Sequence, residues 1–301
     1  MKSDRFKGYL FAAIATIAFS NIYIFSKAAL NEIHLAQFGV YWFFIALVLN
    51  VAWLLKTGTH RTIRHLSNRQ WRILALLGIL EILTTTSFFV SIQIIPDPAV
   101  TSFIGNLFPV ILTGMGIVFL HERFTWLETF GAVLALFGAF IISYQGGTTL
   151  SDLFIPGTGI VLINAIFAAT ASLVVKMNVK TMSPELMNTN RVVWLFFFSL
   201  IMFISYGESL VIPLHTVANI AIGATLGPFL AVLTIYYSFR YIEVSKSSIV
   251  QSLKGVCVLI GSYLYFQILP LTHQLVGGGI TVLGVLIISV SKARLTQRRK
   301  G

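Results

Sequence analysis

The chain has 301 residues, 56% of them hydrophobic and only 10% charged, against roughly 25% charged in a soluble domain. That balance excludes a soluble globular protein and a disordered or collagen-like chain, and a single cysteine, Cys257, excludes a disulfide-stapled one. The net charge of +11 does not call for nucleic acid: in so apolar a chain, Lys and Arg more often mark the cytoplasmic side of a membrane.

A helix crossing the hydrocarbon core needs about 20 mostly apolar residues. Ten such runs are predicted, at 8–29, 35–55, 72–95, 98–120, 125–145, 157–177, 186–207, 215–239, 244–267 and 271–291. The first has a basic lead-in (Lys2, Arg5, Lys7), but it is long for a signal peptide and lacks a convincing cleavage site, so it reads as a retained helix. It carries Ser20, Asn21 and Lys27. Span 2 carries Asn50, and the one long basic link, Lys56–Arg72, follows it. Glu81 lies about ten residues into span 3 and is the only deep carboxylate in the pattern. Pro109 and Pro228 interrupt spans 4 and 8, where each removes an N–H and tends to kink the helix. Asn106, Asn164 and Gln251 are polar groups within spans 4, 6 and 9. Lys254 lies about ten residues into span 9, with no second deep cation expected. In spans 5 and 10, Gly131, Ala135 and Ala139, with Gly277, Thr281 and Gly284, form small-residue faces suited to close helix packing.

With the N-terminus placed in the cytoplasm, 19 of the 21 Lys and Arg fall in cytoplasmic loops, tails or adjacent first turns. The exterior loops hold none, which puts both termini inside. Lys27 and Lys254 are the two exceptions.

The second half of the chain repeats the first. Residues 98–143 align without a gap on 244–289, at an offset of 146, and pair Gly131 with Gly277 and Gly138 with Gly284. Spans 1 and 6 align at an offset of 149, pairing Lys27 with Lys176. The predicted fold is therefore an all-α integral membrane protein of ten transmembrane helices: a repeat over 1–145 and another, with a basic tail, over 146–301. Five spans per repeat is odd, so the halves cross in opposite senses. Inverted repeats of this kind are characteristic of secondary transporters, with the substrate near the midplane.

The segment Phe19-Ser20-Asn21-Ile22-Tyr23-Ile24-Phe25-Ser26-Lys27-Ala28-Ala29-Leu30 resembles the first-helix signature of the EamA-type drug/metabolite transporters. Leu107-Phe108-Pro109-Val110 through His121-Glu122-Arg123, with Gly131 and Gly138, is similar to that family's fourth and fifth helices. The second half departs, with Lys254-Gly255 where the first has Phe108-Pro109. The resemblance, nearest to the aromatic and neutral amino-acid exporters, implies export of amino acids or related metabolites across the bacterial inner membrane. A monomer is compatible with it.

Lys254, Glu81, Ser20, Asn21, Asn106, Gln251, Pro109 and Pro228 are the candidate pathway residues. A cation deep in the bilayer costs at least about 2.5–3.5 kcal/mol and usually faces a cavity or a partner. Lys254 would thus anchor a substrate carboxylate or form an ion pair. Glu81 has three open roles: holding a substrate amine, carrying a coupling proton, or neutralising Lys254. For the amides and Ser20, interhelical hydrogen bonding is the alternative to a pathway role, and it is the favoured reading for Asn50. The expected partners are a small-molecule substrate and the bilayer. No mid-span histidine, Walker loop, metal-ligand cluster or nucleophile constellation is present, so neither a cofactor nor an enzymatic activity is expected. A broad exporter of drugs or cations and, from another class, a channel are the competing readings.

Overall fold

A computed structural model describes the backbone of residues 2–108, 110–112, 114–115, 126–144, 154–242, 247, 250–251 and 253–298, and the side chains of those between 5 and 287 except residue 128. The described chain is helical: α1 (Lys2–Leu30), α2 (Leu35–Lys56), α3 (Asn68–Ile94), α4 (Pro98–Gly105), α5 (Trp126–Ser143), α6 (Thr158–Asn178) and α7 (Pro184–Tyr206), then α8 (Leu214–Tyr241), α9 (Lys254–Phe266) and α10 (Thr272–Arg298). A 3₁₀ turn, Thr59–His65, sits in the basic link. The starts are locally encoded. His34 with Gln37, and Ser67 with Gln70, make capping boxes at α2 and α3, while Asp97-Pro98 and Ser183-Pro184 open α4 and α7.

Among the described residues six helices are long and apolar enough to cross a membrane: α1, α2, α3, α6, α7 and α8. The remaining apolar helices are shorter. Apolar side chains cover the outside of the bundle as well as its core. Leu264, Ile201 and Val133 are exposed while Phe38, Trp42 and Ile92 are buried, as lipid rather than water around the molecule requires.

The matched lysines do matched work. Lys27 Nζ donates to the carbonyls of Ile92 (2.8 Å), Gln93 (3.2 Å) and Ile95 (3.0 Å) at the end of α3. Lys176 Nζ donates to those of Phe239 (2.8 Å) and Ile242 (3.1 Å) at the end of α8. Each therefore satisfies carbonyls that a helix end leaves unpaired, and the first helix of each repeat is tied to the third. Next to the first tie, Asp97 accepts from Ala99 N and Ser262 Oγ. Burial pushes its carboxyl above the usual range, against those bonds and the Lys27 charge.

α5 and α10 meet backbone to backbone. A Cβ on Gly284 would lie 2.5 Å from Gly131 O, one on Gly138 would lie 2.6 Å from Gly277 O, and Thr281 Oγ1 reaches Ala135 O at 3.4 Å. The partners advance along α10 as they retreat along α5, so the two helices run antiparallel. Each contact also has its repeat-related counterpart: Gly138 with Gly277, and Gly284 with Gly131. Gly284→Leu should therefore lower thermal stability in detergent by roughly 1–3 kcal/mol, the usual range for overpacking. Gly279→Leu, where nothing lies within 4 Å of a new Cβ, should change little. Equal losses would mean that the seam is not tight.

Candidate functional site

Between the halves lies a cavity of ≈ 200 Å³. Aromatic rings are prominent in its wall, Phe19, Tyr23, Trp42, Phe88, Phe108 and Tyr236 among them, and three charged side chains open onto it: Glu81, Arg191 and Lys254.

The repeats contribute matching positions. Phe19 and Ala168, Tyr23 and Ser172, Trp42 and Arg191, Gly105 and Gln251, and Phe108 and Lys254 are repeat-related pairs in which both members line the cavity. Two of these pairs sit at helix breaks. α4 ends at Gly105, with Asn106 as its C-cap, and Leu107 N returns to Ile104 O in a tight turn. At the equivalent place in the second repeat Leu253 is the cap and Lys254 the first residue of α9. Lys254 is thus not buried inside a helix, as the span pattern had it. Its charge coincides with the positive end of a helix dipole.

α8 has 28 residues where α3 has 27. The extra residue is absorbed in a π-turn, Thr225–Ala231, around Pro228. The Pro228 carbonyl accepts from Asn188 Nδ2 (2.9 Å) and Asn50 Nδ2 (3.4 Å), and Asn188 Nδ2 also donates to Asn50 Oδ1 (2.7 Å). Asn50 is thus an interhelical hydrogen-bonder, as expected, and it supports a turn that faces the cavity.

A profile of the EamA-like transporter family matches residues 6–144 and again 155–290. The chain belongs to the EamA-like transporter family. No curated protein matches it. One solved crystal structure is 15% identical and superposes with a TM-score of 0.71 over 98% of this chain and 99% of its own, which shows a shared fold. An EamA-like chain is a membrane transporter of small substrates, built from two repeats; that coarser part of the resemblance holds.

For this transporter the expected pathway residues divide. Glu81, Gln251, Lys254 and Pro228 line the cavity. Ser20 lies behind the wall, donating to Thr16 O (2.7 Å) and reaching Lys254 O (3.4 Å), so it seats α1 against the start of α9. Asn21 donates to Ile17 O on its own helix. Asn106 is buried at the α4 break beside Gly255. Neither amide lines the cavity. Asn164 does, while donating to Thr84 O (2.6 Å). Pro109 lies outside the described residues.

One open role of Glu81 closes here, and one expectation, that no second deep cation exists, is corrected. The partner of Glu81 is Arg191, whose Nε stands 2.5 Å from Glu81 Oε2 with both side chains nearly buried. A second cation therefore reaches the cavity. Arg191 is not evident from the sequence as a cavity residue, because it stands close to the start of span 7, among the charges that the pattern places on the cytoplasmic side. A signal was available: a lone deep carboxylate needs a partner, and the polar run Asn188-Thr189-Asn190-Arg191 interrupts an otherwise apolar span. Glu81 Oε1 also accepts from the Tyr236 hydroxyl (3.3 Å), and Arg191 Nη2 donates to Thr85 Oγ1 (3.2 Å). Lys254 Nζ lies over the Tyr23 ring, 5.3 Å from its centroid, within cation–π range.

Proposed function

We propose that this transporter is a secondary exporter of neutral and aromatic amino acids and related small metabolites, working by alternating access across the bacterial inner membrane. The observation that carries this reading is the cavity itself. Both repeats wall it with matched positions, its lining is rich in aromatic rings, and Lys254 has no carboxylate partner among the described residues. Rings suit an apolar side chain and a lone lysine suits a carboxylate. A phosphorylated ligand would normally recruit several unengaged basic groups. The Glu81–Arg191 pair weighs against an exporter of cations, which would need a free carboxylate.

The architecture in this reading is ten transmembrane helices in two inverted repeats, 1–145 and 146–301, with both termini cytoplasmic. The antiparallel α5–α10 seam and the paired lysine ties support inversion. A cavity between such repeats sits where inverted transporters bind substrate.

Two measurements test the proposal. Purified protein in proteoliposomes should take up labelled neutral amino acids saturably, and the rate with and without a pH gradient reports coupling; non-saturating flux would mean a channel. In a background with Cys257 replaced, Val211→Cys should label from outside intact cells and Ser67→Cys only after permeabilisation. The reverse pattern would overturn the orientation.

A further inference from the structure

The charges in the cavity define a narrower substrate class, on the footing that the cavity is the transport site. Among the described residues its charged side chains are Glu81, Arg191 and Lys254, a net charge of one positive. None is repeated by symmetry: Trp42 matches Arg191, Phe108 matches Lys254, and the Pro228 turn stands at the level of Glu81.

What each charge still has to offer differs. Glu81 is committed on both oxygens, to Arg191 Nε at 2.5 Å and to the Tyr236 hydroxyl at 3.3 Å. A ligand ammonium could reach it only by displacing these donors, which would leave the Arg191 guanidinium without its carboxylate. A buried charge stripped of its partner is strongly unfavourable. The cations keep unused donors. Arg191 Nη2 is bound to Thr85, while Nη1 is buried beyond the reach of water and has no hydrogen-bond partner among the described residues. Guanidinium N–H groups are obligate donors, so a small turn of the group toward the cavity is needed for Nη1 to meet a ligand. Lys254 faces only the Tyr23 ring among charged or aromatic partners described. For an ammonium the wall offers neutral acceptors such as Asn164 and Ser172. For a carboxylate it offers two cations and the start of α9.

We infer that the cavity takes an amphipathic organic monocarboxylate with a body of aromatic size, and that Arg191 is a specificity-determining residue, adding its Nη1 to Lys254 as a carboxylate donor. Glu81 is the fixed counter-ion of Arg191, not a reader of the substrate amine. An α-amino group on the ligand is therefore tolerated but contributes no binding. Amino acids are carried for their carboxylate, and the deaminated acids belong to the same substrate class.

Three probes that share a phenylethyl skeleton test this on the reconstituted full chain: 3-phenylpropionate, L-phenylalanine and 2-phenylethylamine, measured by calorimetric binding and proteoliposome uptake. The expected order is phenylpropionate at least as tight as phenylalanine, with phenylethylamine neither bound nor carried. The Glu81→Gln/Arg191→Gln double variant leaves no stranded charge. It should keep its thermal stability better than either single variant and bind phenylpropionate at least tenfold more weakly than the parent protein. Phenylalanine preferred tenfold over phenylpropionate, with phenylethylamine also bound, would show that Glu81 reads the amine; the inference falls and the amino-acid reading stands. A double variant with unchanged phenylpropionate affinity removes Arg191 from recognition. If none of the three probes is bound or carried, the carboxylate inference and the amino-acid reading fall together.

Discussion

Glu81→Gln should lower the thermal stability of the purified transporter and cut uptake at least tenfold. The reason is the state in which it leaves Arg191. Glu81 and Arg191 come from different repeats, meet at 2.5 Å and have side chains only 9% and 12% exposed. Removing one partner of a buried pair costs roughly 3–5 kcal/mol, because the other is left charged and uncompensated. Removing both can be far milder. Melting curves in detergent for Glu81→Gln, Arg191→Gln and the double variant form a closed cycle. The double variant should lose clearly less than the two singles combined. A strictly additive result would show that the pair is uncoupled. Full stability and full transport in Glu81→Gln across pH 5 to 8 would remove Glu81 from both fold and mechanism.

The second large effect is expected at Lys254. Lys254→Ala should weaken uptake of a neutral amino acid by roughly 10- to 100-fold, the scale of a charged hydrogen bond worth about 1.5–3 kcal/mol. Any residual uptake of the same compound as its amide, which has no carboxylate, should fall much less. Lys254→Arg should recover part of the loss, since the charge is kept while its shape changes. Equal losses for acid and amide would assign Lys254 to the fold or to gating. Unchanged transport of both would place it outside the pathway.

Much of this molecule is legible in the chain because lipid imposes simple rules. A helix that must satisfy its backbone alone has to be apolar along its length, so α1, α2, α3, α6, α7 and α8 can be read from hydropathy. The repeat is visible because paired glycines mark the α5–α10 contact, where only a hydrogen fits in place of a side chain. Lys27 and Lys176 could be matched but not interpreted, since their acceptors are carbonyls and carry no sequence mark. The site is only half legible. A cation in an apolar run identifies Lys254, but nothing in the run shows that a helix begins there. Arg191 looked peripheral by its position in the span, and only tertiary packing brings it to Glu81. Ser20 and Asn21 share a signature-like segment with Tyr23, yet of the three only Tyr23 lines the cavity, because helical geometry turns neighbouring residues to different faces.

The seam between α5 and α10 has the form of an isologous interface: Gly138 meets Gly277, and the related Gly284 meets Gly131. In a symmetric dimer such a face is completed by a second molecule. Here both copies belong to one polypeptide, so the face meets its complement within the chain and leaves no vacant copy for a neighbour. The covalent link between repeats should then be dispensable for assembly. Fragments divided between residues 145 and 153 and co-expressed should purify together through the untagged half, with cavity binding restored. Gly284→Leu in the second fragment should abolish that recovery while leaving its own expression intact, and recovery undiminished by Gly284→Leu would show that other surfaces hold the halves together.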